Sequence, residues 1–402
     1  MSDWRQRIRE AVDRLEPLLC QVSAAIFEHP ELKHEETFAS QLLAKELESA
    51  GFAVELGVAG LPTAVRAVHP ASTDGPTVAV LGEYDALPEI GHACGHNLIA
   101  AGGLGAALAV GSIKDELPGT LLFLGTPAEE GGGGKVTMVE AGLFDGVDAA
   151  LMFHPDSHTM IGRGSLAITE VKIEFFGKPA HASACPEKGI NALDAVIQTF
   201  VGINAMRQHI KDGARIHGII RNGGVKPNIV PDYASAEFYV RAIENAYRDE
   251  LLETLKRCAE GAALATGARL AFTEVGHAYQ AMKPNRVLGE RFLEHLVACG
   301  IPHNPQPDAA MGSTDMGDVT QAVPGIHPYV QITEDDVAGH SREFADAAAS
   351  ERGQRAMLAA AKAMAMTAVD VLAEPGWASR IREEFDANSP MVKGRHDTEI
   401  GC

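Results

Sequence analysis

Four short motifs in this chain bring together residue types that could build a metal centre. They are His92-Ala93-Cys94-Gly95-His96, Pro127-Ala128-Glu129-Glu130, Phe153-His154-Pro155 and Gly339-His340-Ser341. Thiolate, imidazole and carboxylate are the usual donors to divalent transition metals. Hydrolysis of an unactivated amide needs a nucleophilic water, a polarised carbonyl and a proton for the leaving amine. A bound divalent metal supplies the first two, lowering the pKa of its water to about 7. A carboxylate beside that water takes its proton and hands it to the nitrogen. Two adjacent glutamates at a strand end can divide the work, because their side chains diverge. Each residue alone has a plainer use. Glu129-Glu130 could be a solvated turn and Cys94 a small buried hydrophobe; His154 and His340 could be surface or core histidines, and Asp85 a turn cap before Pro88. Their conjunction points to a metal-dependent hydrolytic site.

The elements needed to position these residues are legible around them. An amphipathic helix spans Met1 to Leu19, and a second covers Thr37 to Ala50 and stops at Gly51. Short β-branched runs follow at Ala53–Val58, Ala64–Val68 and Thr77–Leu81, the last feeding into Gly82-Glu83-Tyr84-Asp85-Ala86-Leu87-Pro88. A helix from His96 to about Gly111 precedes the strand Thr120–Leu124, which ends at the double glutamate; the strand Ala149–Phe153 ends at His154. Candidate ligands therefore stand just beyond strand carboxyl ends or at a helix start, where open α/β sheets place their chemistry.

From Ile168 the pattern changes. Strand Ile168–Phe176, helix Asn191–Ile210, strands Arg215–Ile220 and Tyr233–Arg241, helix Ala246–Ala265 and strand Arg269–Val275 follow in the β-α-β-β-α-β order of a ferredoxin-like module. The expectation is an α/β protein with a discontinuous catalytic domain, residues 1–167 and 276–402, interrupted by a lid of residues 168–275. After Pro284 come a helix to Ala298, the loop Gly312-Ser313-Thr314-Asp315, a strand Tyr329–Ile332, His340 and a long Ala-rich helix. The charged tail from about Ala378 is expected to fray.

Composition narrows the partners. A net charge of -20 argues against nucleic acid, whose phosphates require clustered Lys and Arg. The longest apolar stretch, Leu98 to Val110, is too short and Gly-rich to span a bilayer and reads as a packed helix. No cationic, apolar leader is visible, and the six cysteines lack paired spacing. The expected location is the cytoplasm, without membrane contact.

The run Gly82–Pro88 through His92-Ala93-Cys94-Gly95-His96-Asn97 resembles the M20 family of metallopeptidases and amidohydrolases, in the branch of aminoacylase-1-like proteins and p-aminobenzoyl-glutamate hydrolase. The other three motifs support this, with Gly177-Lys178-Pro179-Ala180-His181-Ala182-Ser183 and Pro227-Asn228-Ile229-Val230-Pro231, in the family's order over nearly the whole chain. The resemblance implies a Zn-peptidase-like catalytic domain and two divalent metal ions held by Cys94, His96, Glu130, His154 and His340, with Cys94 bridging. Zn is the first expectation, with Mn or Co as alternatives. Glu129 would be general base and then acid. Asp85 matches an aspartate that orients a ligand histidine in the family's commoner His-x-Asp motif. Because Glu83 stands where that histidine would be, the role implied for Asp85 is support from behind the ligands. His181 matches a lid histidine that, in dimeric relatives, crosses to the partner's active site and stabilises the oxyanion. Asn228 and Arg241 match lid residues that grip the substrate and its carboxylate.

The expected activity is cleavage of the amide bond of an N-acyl amino acid, an aminobenzoyl-glutamate-like compound or a small dipeptide, by a homodimer joined through its lids. Two alternatives accompany it: hydrolytic deamination of an aryl amine on the same fold, and a non-catalytic partner subunit. A nucleotide-binding reading of Gly131–Gly134 or Gly102-Gly103-Leu104-Gly105 fails, because neither has the strand–GxGxxG–helix order and no Walker lysine is present.

Overall fold

The computed structural model describes residues 4–71, 73–306, 311–334, 336–374 and 376–387. The chain forms α1 (Trp4–Glu28), α2 (Thr37–Ser49), β1 (Ala53–Leu56), β2 (Val65–Val68), β3 (Thr77–Glu83), α3 (His96–Gly111), β4 (Thr120–Thr126), α4 (Gly134–Glu140), β5 (Ala149–Leu151) and β6 (His154–Asp156). There follow β7 (Ala167–Phe176), α5 (Ala192–Met206), β8 (Arg215–Asn222), β9 (Tyr233–Ala242), α6 (Asn245–Thr266) and β10 (Arg269–Tyr279). The last stretch holds α7 (Arg286–Ala298), α8 (Met316–Ala322), β11 (Gly325–Ile326), β12 (Tyr329–Gln331), α9 (Arg342–Ala349), α10 (Glu351–Ala373) and α11 (Trp377–Ala387). Contacts divide these residues into two compact units, one formed by the chain up to Gly164 and from Met282 onward, the other by Ser165–Ala281.

The first unit is α/β. Its six-stranded sheet has the order β1-β2-β4-β3-β5-β11. Pairings β4–β3, β3–β5 and β5–β11 are parallel, while β1–β2 and β2–β4 are antiparallel. Central strands β3 and β4 are buried on both faces after their first residue, which accounts for their unbroken apolar sequences. Helix α3 is buried along its whole length up to Gly111, as its apolar run led one to expect. It lies tightly on β3: a Cβ at Gly103 would stand 2.4 Å from the Leu81 carbonyl oxygen, so only glycine permits this approach. Helix α10, the described helix long and apolar enough to cross a membrane, instead packs in this core beside α3.

Two local expectations are corrected. The strand expected over Ala149–Phe153 stops at Leu151, and His154–Asp156 forms a separate parallel pair with Tyr329–Gln331. The tail beyond Ala378 is helical as far as Ala387 rather than frayed. Ile381 is fully buried, the Asn285 side-chain amide donates to its carbonyl (2.9 Å), and the Glu384 carboxylate accepts from the backbone N–H groups of Arg286 and Val287 at the start of α7. The rest of the tail lies outside the described residues.

The second unit is a four-stranded antiparallel sheet in the order β10-β7-β9-β8, built from β-α-β-β-α-β in sequence. Strand β7 alternates buried and half-buried residues throughout, as a strand covered on one face must. Its buried side joins residues of α5 and α6 in a core that includes Val171, Ile173, Val196, Phe238 and Leu255. Strand β10 runs past the expected Val275 to Tyr279 by way of an irregularity in the pairing.

Candidate metal centre and active site

The predicted ligands and base of the first unit converge at the carboxyl ends of its parallel strands. Strand β3 ends at Glu83 and leads to Asp85, which is buried. The Nδ1 of His96, the first residue of α3, lies 3.0 Å from Asp85 Oδ1 and 2.9 Å from the Asp85 carbonyl oxygen. Nδ1–H is thus the donor, and Nε2 is left for another partner. Asp85 supports His96 from behind, as the resemblance implied. Its other oxygen accepts the backbone N–H of Glu130 at 2.9 Å. Gly95 makes the entry to α3 possible, because its φ is +76° and a Cβ there would meet Pro155 Cγ at 2.8 Å.

The Glu129-Glu130 turn follows β4. Ala128 holds a positive φ of 60°, uncommon for a residue with a side chain. The turn is fixed by two carboxylates that sequence reading did not combine. Buried Glu36 accepts the Ala128 N–H (2.9 Å) as well as the His34 N–H and the Thr63 hydroxyl, while Asp85 takes the N–H of Glu130. The Glu129 carboxyl is pushed well above the ordinary range, first by burial and then by Glu83, Glu130 and Asp315. A carboxylate in that setting accepts a proton readily, as a general base must.

Three groups of ligand atoms cluster within 4.8 Å: Cys94, Glu130 and His340; His96, Glu129 and Glu130; and Glu83, His96 and His154. The Cys94 thiol donates to Glu130 Oε1 at 2.8 Å, and burial followed by the Glu130 charge holds its pKa well above the usual value. His340 Nε2 lies 3.5 Å from the same Glu130 oxygen, brought there by a backbone hydrogen bond from His340 to the Ala93 carbonyl (3.1 Å). The His154 ring stands edge-on to that of His96 at 5.9 Å, with Nδ1 tied to the Pro155 carbonyl. Burial alone would lower the pKa of His96, but Asp85, Glu83 and Glu130 outweigh it and hold the imidazole well above its ordinary value. A divalent cation suits this field. The buried His96 Nε2 and Glu83 Oε2 have no hydrogen-bond partner among the described residues and stand 3.5 Å apart.

Sequence reading missed a buried ion triad behind the centre. Lys135 donates to Glu83 Oε1 and to Asp315 Oδ1 (2.6 Å), and its backbone N–H donates to Asp315 Oδ2 (2.9 Å). The only available signal was a lone lysine closing a glycine run, which ordinarily reads as solvated.

The other predicted residues lie in the second unit. His181 is exposed; its Nδ1 accepts from the backbone N–H groups of Ser183 (3.4 Å) and Ala184 (3.3 Å), which places the ring hydrogen on Nε2. Asn228 is exposed, and its carbonyl accepts the Ala182 N–H beside the His181–Ile229 bridge. Half-buried Arg241, on β9, lies with its guanidinium 5.6 Å from the Tyr239 ring centre.

With this geometry in hand, the comparisons decide the family. Residues 79–363 match the model of peptidase family M20/M25/M40. The chain belongs to that family. It is 41% identical over 396 residues to the mouse Xaa-Arg dipeptidase, covering 94% of this chain and 90% of that protein. The human Xaa-Arg dipeptidase is 38% identical over 399 residues, 94% of this chain and 91% of that one. Among solved structures, a putative aminohydrolase from methicillin-resistant Staphylococcus aureus shares the fold with a TM-score of 0.76 at 21% identity, over 92% of this chain and all of that one. A protein from Bacillus subtilis, described as a dinuclear metal-binding peptidase of the M20 family, gives 0.65 at 22% identity, over 89% of this chain and 99% of that one. The family indicated by the motifs is the one found, and this M20 chain is a metal-dependent hydrolase.

Proposed function

We propose that this M20 hydrolase cleaves the amide bond of a small N-acyl amino acid or dipeptide at a two-metal centre, with Glu129 as general base. The carrying observation is that Glu129 lies among ligand groups that contain all five expected ligands, Cys94, His96, Glu130, His154 and His340. Bound divalent ions would activate water and polarise the scissile carbonyl. Zn suits the thiolate of Cys94, and Mn or Co the same mixed donor set.

The chain's own groups do the rest. Glu129 takes a proton from the attacking water as oxygen adds to the carbonyl carbon. It returns that proton to nitrogen as the C–N bond breaks, giving a carboxylic acid and an amine. His181, with its hydrogen on Nε2, is a donor for the carbonyl oxygen as charge develops there. Arg241 would grip the substrate carboxylate with two parallel donors, and Asn228 would add a further hydrogen bond. Support for a dimer through the second unit comes from its edge strand β8, where Ile219 and Ile220 are both exposed.

The 41% identical relative is named for dipeptides ending in arginine, so basic carboxyl-terminal dipeptides head the substrate panel, followed by N-acyl amino acids, p-aminobenzoyl-glutamate and aryl amines. Metal-loaded protein should release an amino acid from at least one amide class, as read by mass spectrometry. Arg241→Ala should raise KM for carboxylate substrates and spare their amides. Ammonia from an aryl amine alone would contradict amide hydrolysis; equal loss for acid and amide would contradict the role of Arg241.

A further inference from the structure

The five expected ligands divide unevenly over the centre. Cys94, Glu130 and His340 form one group of three, with Cys94 in that group alone rather than bridging. Glu130 also clusters with His96, and of the expected ligands only His96 and His154 stand outside the first group. We propose that Glu83 is itself a metal ligand, completing with His96 and His154 a second subsite of two imidazoles and a carboxylate. The inference rests on the two-metal reading above and adds a residue to it.

The first support is a pair of buried atoms. Glu83 Oε2 and His96 Nε2 are both buried and have no hydrogen-bond partner among the described residues, although they stand only 3.5 Å apart. Leaving a carboxylate oxygen so is costly unless a cation or donor meets it. Ligands about 2.0–2.1 Å from a tetrahedral metal lie roughly 3.3–3.4 Å apart, so the observed separation is that of one edge of such a polyhedron. The third donor, His154, completes the group within 4.8 Å.

The second support is how Glu83 is held. Its other oxygen accepts from Lys135, whose side chain is fixed on its far side by Asp315 at 2.6 Å, and all three side chains are buried. Ligating carboxylates are commonly oriented by just such a hydrogen bond on the oxygen that does not bind metal. A lysine and one carboxylate would neutralise each other. The second carboxylate leaves the triad formally negative by one charge, and Oε2 presents that charge to the two histidines. The subsites then differ in character, since one contains a thiolate and the other only nitrogen and oxygen donors, so a hard ion such as Mn competes better for the second.

The test reads metal rather than turnover. Chelator-stripped wild type, Glu83→Gln and Cys94→Ser are titrated with cobalt(II), with calorimetry for affinity, elemental analysis for stoichiometry and thiolate-to-cobalt absorption to report the Cys94 subsite. Wild type should bind two ions per chain. Glu83→Gln should keep the thiolate absorption at the first equivalent and bind the second ion at least about 10–100-fold more weakly. Glu83→Asp retains the charge beside Lys135 but withdraws the oxygen by one methylene; it should show the same loss and serves if the Gln variant does not fold. Two ions held with unchanged affinity by the Glu83 variants, while Cys94→Ser loses one, would overturn the role of Glu83 alone. A wild type that binds a single ion would overturn the two-metal reading and the subsite with it.

Discussion

At the scale of residues, the centre works because carboxylates orient what surrounds it. Asp85 holds His96 Nδ1 and the Glu130 N–H together, and Glu36 holds the Ala128 N–H, so the left-handed Ala128 turn presents Glu129 in one orientation. Burial raises the pKa of Glu36, yet three donors on its two oxygens define its place. Glu36→Gln puts an amide N–H₂ where donors already point. It should cost about 1–3 kcal/mol of stability and lower kcat more than it raises KM, because the base is displaced while the substrate's contacts are kept. A thermal melt with steady-state kinetics checks this; an unchanged kcat would show that Glu36 does not position the base. The ligand motifs were legible because each is short and local to a strand end or a helix start. Glu83, Lys135 and Asp315 were not, because their pairing spans most of the chain and leaves no periodicity to read.

At the scale of elements, the site depends on α3 lying hard against β3. Gly103→Ala would drive a methyl into the Leu81 carbonyl and should destabilise by about 1–3 kcal/mol. Gly261, in α6, has an ordinary φ and nothing within 4 Å of an added Cβ, so Gly261→Ala should instead stabilise by about 0.5–1 kcal/mol. Equal shifts in melting temperature for both would contradict the close approach. Helices and central strands were readable from apolar runs and turn residues. Their ends moved where tertiary pairing decides: β5 ends at Leu151, where its pairings with β3 and β11 both end although β3 runs on to Glu83, and β6 forms only because β12 lies beside it. The polar helix α11 gave no warning of its docking, since that rests on Ile381 and on Glu384 reaching the start of α7.

At the scale of the molecule, two units each have a core of their own, and among the described residues the second is continuous in sequence. Among the described residues its sheet is built from its own four strands, joined by local hairpin and crossover connections. Residues 165–281 expressed alone should therefore unfold cooperatively in a thermal melt followed by circular dichroism; a structureless product would show that this unit depends on the rest. The change of pattern near Ile168 made the existence of such a module legible, because alternation there replaces the continuous apolar strands before it.

Metal content and turnover measured on the same preparations of wild type and Glu129→Gln test the central claim most directly. Glu129 as base at a two-metal centre predicts two ions per chain in both proteins. Amide turnover in the variant should fall by at least about 10²–10⁴-fold, the usual contribution of a positioned base. A variant that keeps its metals and most of its activity would place the base elsewhere.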